Sequence, residues 1–267
     1  MKDHTNEFET NRQTWNQRVQ LHMESEFYDM SRFRESVNSL NAYELQALGD
    51  VQDLRLLHLQ CHFGQDSLSW AKRGARVTGV DISDAAIAAA QQLSEELQLP
   101  ADFVCCNVLD TRNHVQGKFD VVFSSYGTIG WLPDLKPWAQ MVSEMLAPAG
   151  RFYLIEFHPV AWMFDYQQSP PALVYPYDME GAIYEEYTGS YAAPDAAVTS
   201  KEYGWNHSVG QVVQNLIDAG LQITQLQELH GSPYDVFPDM ELRDDGLYYL
   251  KSGLYPTLLE VMAKKPV

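Results

Sequence analysis

The sequence has 267 residues, 45% of them hydrophobic, which is enough to bury the core of one large α/β domain with an elaboration or a small lid. Its formal net charge of −18, from 36 acidic against 18 basic residues, argues against nucleic acid as a partner, although solubility alone would also explain this balance. Since it has only three cysteines, no apolar run near the ~20 residues of a membrane span and a polar N-terminus unlike a signal peptide, we expect a cytoplasmic protein without disulfides or a membrane partner.

The first part of the chain, residues 1–50, is predicted to be helical. Trp15 and its helical neighbours lie near one face of a helix predicted over 11–29, and residues 36–48 are predicted to continue as an amphipathic helix. These helices either pack on the domain or close over a ligand. In the second case they contribute the polar side chains of Arg18, His22 and Tyr28.

The stretch 54–83 has the outline of a site for a nucleoside cofactor. An apolar run with the length of a buried strand breaks at a turn containing Gly64, a helical pattern follows, and a second strand ends on Asp81. Gly64 allows a close approach of the backbone or a positive φ. Asp81 follows it at close to the roughly 20-residue spacing at which an acidic residue meets ribose hydroxyls, and a carboxylate there would repel a ribose phosphate.

The turn argues against a pyrophosphate. A dinucleotide site reads G-x-G-x-x-G and needs bare backbone N–H groups at the start of the helix, whereas Gln60, His62 and Phe63 are bulky. The Tyr-x-x-x-Lys pair of short-chain NAD oxidoreductases does not occur in the sequence either. The turn therefore favours a ligand without phosphates, such as S-adenosylmethionine.

Over residues 54–159 the chain resembles the class I S-adenosylmethionine-dependent methyltransferases, in particular a bacterial small-molecule-type branch whose first motif reads LHLQCHFGQDSLSWA. The usual motif is acid-x-glycine-x-glycine-x-glycine. Here His58 stands at the acid position, Gln60 and His62 at the first two glycines, and Gly64 is the third. The replacements leave a non-catalytic nucleoside-binding protein of the same fold as an alternative.

The resemblance implies an α/β fold: a doubly wound, mostly parallel seven-stranded sheet of the Rossmann-like methyltransferase type, with an N-terminal helical cap and a β-rich lid insertion. The predicted divisions are the cap at 1–50, a cofactor-binding core at 51–160, a lid or substrate insertion at 161–206, and a C-terminal helix with closing antiparallel strands at 207–267.

The resemblance also implies S-adenosylmethionine as the cofactor, with its ribose on Asp81, its adenine near Asn107 and its methionine end toward Ser125 and Tyr126. Asn107 offers both a donor and an acceptor to the adenine edge, but a plain turn residue is the alternative. Trp131 either walls the sulfonium or is a core tryptophan. The predicted cofactor-binding residues are Gln60, Cys61, His62, Gly64, Asp66, Asp81, Ile82, Asn107, Val108, Ser125 and Tyr126.

The predicted reaction is methyl transfer to an N, O or S atom of a small molecule, with positioning and exclusion of water as the main contributions. His158 follows the fifth strand and is either a general base or a structural histidine. The aromatic and acidic residues of the insertion suit an apolar, aromatic or cationic substrate, or else a dimer contact, so we expect a monomer or a homodimer. No metal is predicted. The predicted catalytic residues are His158, Tyr28 and His207.

Overall fold

The structure is a computed structural model that describes residues 3–166 and 168–267. The helices are α1 (Thr5–Met23), α2 (Met30–Ser36), α3 (Ala42–Leu48), α4 (Gln65–Lys72), α5 (Asp84–Leu97), α6 (Thr111–His114), α7 (Leu135–Met145) and α8 (Val209–Asp218). The strands are β1 (Arg55–Leu59), β2 (Arg76–Asp81), β3 (Ala101–Cys105), β4 (Phe119–Ser125), β5 (Leu146–Phe157), β6 (Phe164–Asp165), β7 (Ala172–Leu173), β8 (Ile183–Thr188), β9 (Thr199–Gly204), β10 (Gln222–Leu229), β11 (Gly231–Ser232), β12 (Met240–Leu242), β13 (Tyr248–Leu250) and β14 (Leu258–Lys264).

The central sheet has seven strands in the order β10-β14-β5-β4-β1-β2-β3. Strands β1 to β5 pair in parallel, whereas β14 runs antiparallel to both β5 and β10. This confirms the predicted doubly wound, mostly parallel sheet with an antiparallel closing pair. Because the carboxyl ends of the parallel strands meet at one edge, the residues that follow β1, β2, β3 and β4 lie together there.

Both faces of the sheet are buried, which explains the continuous apolar runs of its strands. Leu57 packs in a core with Trp138 of α7 and Val212 of α8, and its neighbour Leu56 packs on the opposite face with Trp70 of α4. Alternate residues of β1 therefore pack into two separate hydrophobic cores. Polar residues that contact a ligand are expected at the strand ends.

Two predictions of local structure are wrong. Residues 36–48 do not form one helix, because Val37 takes the left-handed conformation (φ 47°) and separates α2 from α3. The apolar run predicts a third strand over 102–108, but that strand ends at Cys105, since the Asn107 side chain accepts a hydrogen bond from the Leu109 N–H and caps a short 3-10 turn. Ser83 precedes an alanine-rich stretch that predicts a helix over 84–97 with Ser83 as its N-cap. This prediction is confirmed, because the Ser83 hydroxyl accepts from the Ala86 N–H at the start of α5.

The hairpin β8–β9 lies in the predicted insertion and covers α1. The amide of Asn11 exchanges two hydrogen bonds with the backbone of Tyr203, and the guanidinium of Arg18 contacts the Tyr187 hydroxyl and the Glu202 carboxylate. Helix α1 and the hairpin thus form one cover over the carboxyl edge of the sheet. The divisions at residues 50, 160 and 206 stay predictions.

Across residues 3–166 and 168–267, no helix combines the length and the apolar character that a bilayer span requires.

Helix α8 begins with a capping box that gives a first prediction. The Ser208 hydroxyl accepts from the Gln211 N–H at 3.2 Å, and the Gln211 side chain accepts from the Ser208 N–H at 3.0 Å. We expect Ser208→Ala to lower the free energy of unfolding by about 1 kcal/mol, because the Gln211 N–H loses its hydrogen-bond acceptor. Urea denaturation measures this, with Ser252→Ala in an exposed turn as the control. Equal changes in the two variants would contradict the prediction.

Candidate functional site

The turn after β1 adopts glycine-like backbone conformations at all three motif positions. Gln60, His62 and Gly64 have φ values of 54°, 50° and 84°. This left-handed region favours glycine and costs other residues about 1–2 kcal/mol each. Gly64 begins α4, and a Cβ there would come within 2.8 Å of the Phe103 ring. The replacements at 60 and 62 therefore change the side chains but leave the turn folded.

Asp81 ends β2 directly beside this turn. One carboxylate oxygen accepts from the His62 N–H at 2.8 Å, and the other accepts from the Ser83 N–H at 2.8 Å. The side chain is 9% exposed, and burial raises the pKa of Asp81 to about 6 although these N–H donors oppose the shift. Each oxygen keeps a lone pair, so the carboxylate can still accept from ribose hydroxyls.

The side chains of Gln60 and His62 each leave a buried atom without a partner in the described part of the chain. Gln60 Nε2 donates to the Thr128 carbonyl at 2.8 Å, whereas its Oε1 has no partner. His62 Nε2 lies 3.0 Å from His22 Nδ1, whereas His62 Nδ1 has none. Buried polar atoms are rarely left unpaired, so these two indicate a ligand at the turn.

His22 of α1 also contacts the segment between β8 and β9, since its Nε2 lies 3.1 Å from the Ser190 hydroxyl. Burial lowers the pKa of His22 to about 3 and that of His62 well below its usual value, with the charge of Arg18 adding to both shifts. Both imidazoles are therefore neutral at physiological pH, and the pair joins the cover to the turn through hydrogen bonds rather than through charge.

Aromatic rings enclose the turn from the side of the cap. Trp15 makes edge contacts with His62 at 5.1 Å and with Trp131 at 5.3 Å between ring centroids, and Tyr28 contacts His62 at 5.7 Å. The structure therefore places Trp131 against α1, where it borders the turn. Aromatic faces attract onium groups, so this wall suits a sulfonium.

Asp66, Ser125 and Tyr126 meet next to the turn. The carboxylate of Asp66, in the first turn of α4, accepts from the hydroxyls of Ser39 at 2.6 Å and Ser125 at 3.2 Å, and burial raises its pKa. Tyr126 has a φ of 45°, and its buried hydroxyl has no partner among the described residues. The structure thus brings the predicted methionine-end residues together at the end of β4.

The predicted adenine side lies at the ends of β2 and β3. The Ile82 carbonyl accepts from the Cys105 thiol at 3.6 Å, Val108 is buried, and the Asn107 oxygen caps its turn. Cys61 is buried between these elements, and burial raises the pKa of its thiol well above the usual value, so it is not a thiolate. These residues border Asp81, and their contact with adenine stays a prediction.

Of the three predicted catalytic residues, the structure brings only Tyr28 to the turn, where its hydroxyl contacts that of Tyr191. His158 is buried and uses both ring nitrogens elsewhere: Nε2 lies 2.8 Å from the Glu228 carboxylate, and Nδ1 accepts from the Val160 N–H. Glu228 lies on the edge strand β10. The hydrogen bond therefore holds the His158 ring toward that edge of the sheet, away from the turn after β1. His158 therefore has the bonding of the structural alternative.

His207 is also held by a structural hydrogen bond, since its Nε2 donates to the Leu132 carbonyl at 2.7 Å. It precedes the cap of α8 and has no hydrogen bond to a predicted cofactor residue. Burial lowers the pKa of His207. The structure thus supplies no evidence for the predicted substrate contact of His207.

Glu44 of α3 is not among the predicted site residues, although it is fully buried and one of its carboxylate oxygens is unpartnered among the described residues. A signal was present, because Leu40, Glu44 and Leu48 share one helical face at four-residue spacing, so an acidic residue interrupts an apolar stripe. Glu156 of β5 is likewise absent from the predicted site residues. Its carboxylate accepts from the N–H groups of Thr128 and Ile129 and fixes the loop after β4.

Among residues 3–166 and 168–267, no group of three or more His, Cys, Asp or Glu side chains has an arrangement that would hold a metal ion.

Comparison with known proteins assigns this architecture. A family model described as a methyltransferase domain matches residues 57–152, the part of the chain that runs from β1 into β5 and contains the turn, Asp81 and Tyr126. Residues 57–152 thus match a methyltransferase domain, about a third of the chain. The cofactor of this family is S-adenosylmethionine, and the buried acceptors and the aromatic wall at the turn fit it.

Curated relatives support the same domain. The ubiquinone biosynthesis O-methyltransferase of Chromobacterium violaceum is 28% identical over 114 residues, which are 43% of this chain and 49% of that protein. The protein of the same name from Pseudomonas aeruginosa (strain PAO1) is 26% identical over 143 residues, 53% of this chain and 60% of that protein. The chain thus spans about half the length of the curated relatives it matches.

Solved structures share the fold. An S-adenosylmethionine-dependent methyltransferase from Mesorhizobium loti aligns with a TM-score of 0.58 at 22% identity and covers 84% of this chain and 96% of that one. Another from Clostridium acetobutylicum has a TM-score of 0.59 at 12% identity and covers 96% and 99%. At these identities the likeness concerns the fold.

Proposed function

We propose that this chain transfers the methyl group of S-adenosylmethionine to an N, O or S atom of a small molecule. The observation that carries the proposal is Asp81 at the end of β2, hydrogen bonded to the left-handed turn that follows β1. This pairing places a carboxylate where parallel sheets bind nucleosides. The methyltransferase domain and the relatives named as O-methyltransferases support it.

The residues around the turn match the polar groups of this cofactor. In the proposal Asp81 holds the ribose hydroxyls, and Ile82 and Val108 border the adenine beside Asn107. For the methionine end, Gln60 Oε1 and the Asp66 carboxylate are acceptors for the ammonium. Buried Arg18, whose Nε has no partner among the described residues, supplies positive charge for the carboxylate.

The chemistry requires mainly alignment, because a sulfonium already activates its methyl group. The protein contributes binding, orientation and exclusion of water. The Trp15–Trp131 wall faces the turn, while the contacts of Arg18 with Glu202 and of Tyr28 with Tyr191 hold the cover closed. A site enclosed in this way favours a small substrate, and the net charge of −18 argues against nucleic acid. A cytoplasmic location and a monomeric or homodimeric state belong to this proposal.

Calorimetric titration tests the binding step. We expect both S-adenosylmethionine and S-adenosylhomocysteine to bind with micromolar Kd values, because Asp81 and the unpartnered acceptors are already in place. Circular dichroism on the same samples establishes that the protein is folded. Folded protein that binds neither compound would disprove the proposal.

Mass spectrometry of a small-molecule extract incubated with protein and S-adenosylmethionine tests the transfer step. The appearance of methylated products that need the protein supports the enzyme. Micromolar binding with no methylated product would instead support the non-catalytic nucleoside-binding alternative.

A further inference from the structure

We propose that the methyl acceptor is an amine that enters the site as an ammonium cation and is held beside Glu44 within a ring of aromatic side chains. This inference rests on the proposed function and names its substrate class. It starts from a buried negative charge that the cofactor assignment does not use.

Glu44 is 0% exposed and lies in the first turn of α3. Its Oε1 accepts a long hydrogen bond, 3.4 Å, from Asn41 Nδ2, and its Oε2 has no hydrogen-bond partner in the described part of the chain. The ion pairs found among those residues do not include Glu44. A buried carboxylate without a cation is costly. The N-terminus of α3 favours a negative charge on Glu44, but its N–H groups do not form a hydrogen bond with Oε2.

Aromatic rings occupy the space next to this carboxylate. Tyr126 and Tyr234 are in edge contact with ring centroids 4.9 Å apart, Phe27 stacks on Tyr234 at 5.4 Å, and Phe157 lies 5.9 Å from Tyr126. Asn41 links the ring to the acid, since its Nδ2 also donates to the Tyr234 hydroxyl at 3.1 Å. Aromatic faces attract ammonium groups, most strongly where water is excluded.

The buried hydroxyl of Tyr126 lies beside the Glu44 carboxylate and opposes part of the rise in the Glu44 pKa, but it makes no well-formed hydrogen bond among the described residues. Tyr126 follows β4 and adjoins Ser125, which binds Asp66. The proposed substrate position is therefore next to the proposed methionine end of the cofactor. Asp66 serves the ammonium of the cofactor, and Glu44 serves the ammonium of the acceptor.

Glu44 is suited to take a proton from such a cation. Burial and the nearby charge of Asp66 raise the pKa of Glu44 to about 7, close to the pH at which a general base works best. None of the titratable groups that face it within residues 3–166 and 168–267 is cationic. They are Asp66 of α4, Tyr43 of α3, Tyr126 after β4, Tyr153 of β5 and Tyr234 of the C-terminal loop.

The acceptor nitrogen gives one proton to the Glu44 carboxylate, and its freed lone pair forms the new N–C bond with the methyl carbon. The C–S bond breaks with its electron pair on sulfur, so the sulfonium becomes a neutral thioether. The product nitrogen carries the positive charge, and the proton on Glu44 passes to solvent.

Binding of matched cations and neutral molecules tests the inference. We measure Kd for choline and 3,3-dimethylbutan-1-ol, which have the same shape, and for phenethylammonium and 2-phenylethanol, with S-adenosylhomocysteine bound. At least one cation is expected to bind 10-fold more tightly than its neutral counterpart. This ratio should fall at least fivefold in Glu44→Gln and stay unchanged in Glu241→Gln, a control at an exposed position. If no cation exceeds its counterpart by more than twofold, or if Glu44→Gln leaves the ratio intact, the inference is wrong.

The same samples separate this inference from the proposed function. Titration with S-adenosylhomocysteine before the second ligand reports on the cofactor site, and we expect Glu44→Gln to bind it as the unchanged protein does. If the unchanged protein binds S-adenosylhomocysteine normally but shows no preference for either cation, the substrate class alone is disproved. Failure to bind S-adenosylhomocysteine disproves the proposed function itself.

Discussion

Asp81→Ala is expected to weaken the binding of S-adenosylhomocysteine by about 10- to 100-fold, or roughly 1.4 to 2.7 kcal/mol. The proposed ribose contact consists of hydrogen bonds to an ionised acceptor, which are stronger than those to neutral groups. Calorimetry measures the effect. A change within twofold would show that the ribose does not lie on Asp81.

Asp81 also holds the His62 and Ser83 N–H groups, so its removal loosens the turn as well as the ligand contact. Thermal unfolding without ligand separates these two effects, because a loosened turn lowers Tm before any cofactor is added. Asp81→Asn preserves the shape of the side chain and should retain more stability while still losing affinity. Asp102→Ala, at an exposed acidic residue on β3, is the control and should leave the affinity unchanged.

Glu44→Gln is expected to raise the free energy of unfolding at pH 8 by up to about 3 kcal/mol and to have little effect at pH 4. In the folded protein the pKa of Glu44 is raised to about 7 from an ordinary 4.5, so the folded state retains a proton that the unfolded chain loses. The native protein therefore loses stability as the pH rises from about 4.5 to 7. Glutamine cannot ionise and removes that loss.

Urea denaturation at pH 4, 5, 6, 7 and 8 measures this difference. Asp81, whose pKa is also raised by burial, titrates in both proteins and cancels when the two curves are subtracted. Asp66 interacts with Glu44, so the difference between the curves reports on this pair of acids. Glu241→Gln serves as the control. Parallel stability curves for Glu44→Gln and the native protein would show that Glu44 is already ionised without penalty.

The parts of the fold that follow from the sequence are those set by neighbouring residues. Three local features are of this kind: the apolar run before residue 60, the Ser83 cap and the position of Asp81 at the end of its strand. The order of strands along the chain then brings these residues together, because parallel strands place their carboxyl ends at one edge of the sheet. The same reasoning predicted that Gln60, His62 and Asp81 would lie together, as the structure has them.

The remaining features depend on contacts between distant segments. The direction of the His158 ring is decided by Glu228, 70 residues away, and no local pattern indicates it. Glu44 lies among groups from α4, β4 and the C-terminal loop, so its isolation as a buried acid becomes visible only in three dimensions. The break at Val37 likewise depends on a left-handed conformation that its residue type disfavours.

The turn after β1 bears on how a glycine-rich fingerprint is understood. Glutamine and histidine take left-handed dihedral angles at two positions where the usual motif has glycine, and the turn still delivers its N–H group to the strand-end acid. The fingerprint is therefore a rule about backbone shape, and glycine is the least costly residue that satisfies it. A chain that accepts this cost gains two side chains inside the cofactor turn, where a glycine motif can offer only backbone atoms.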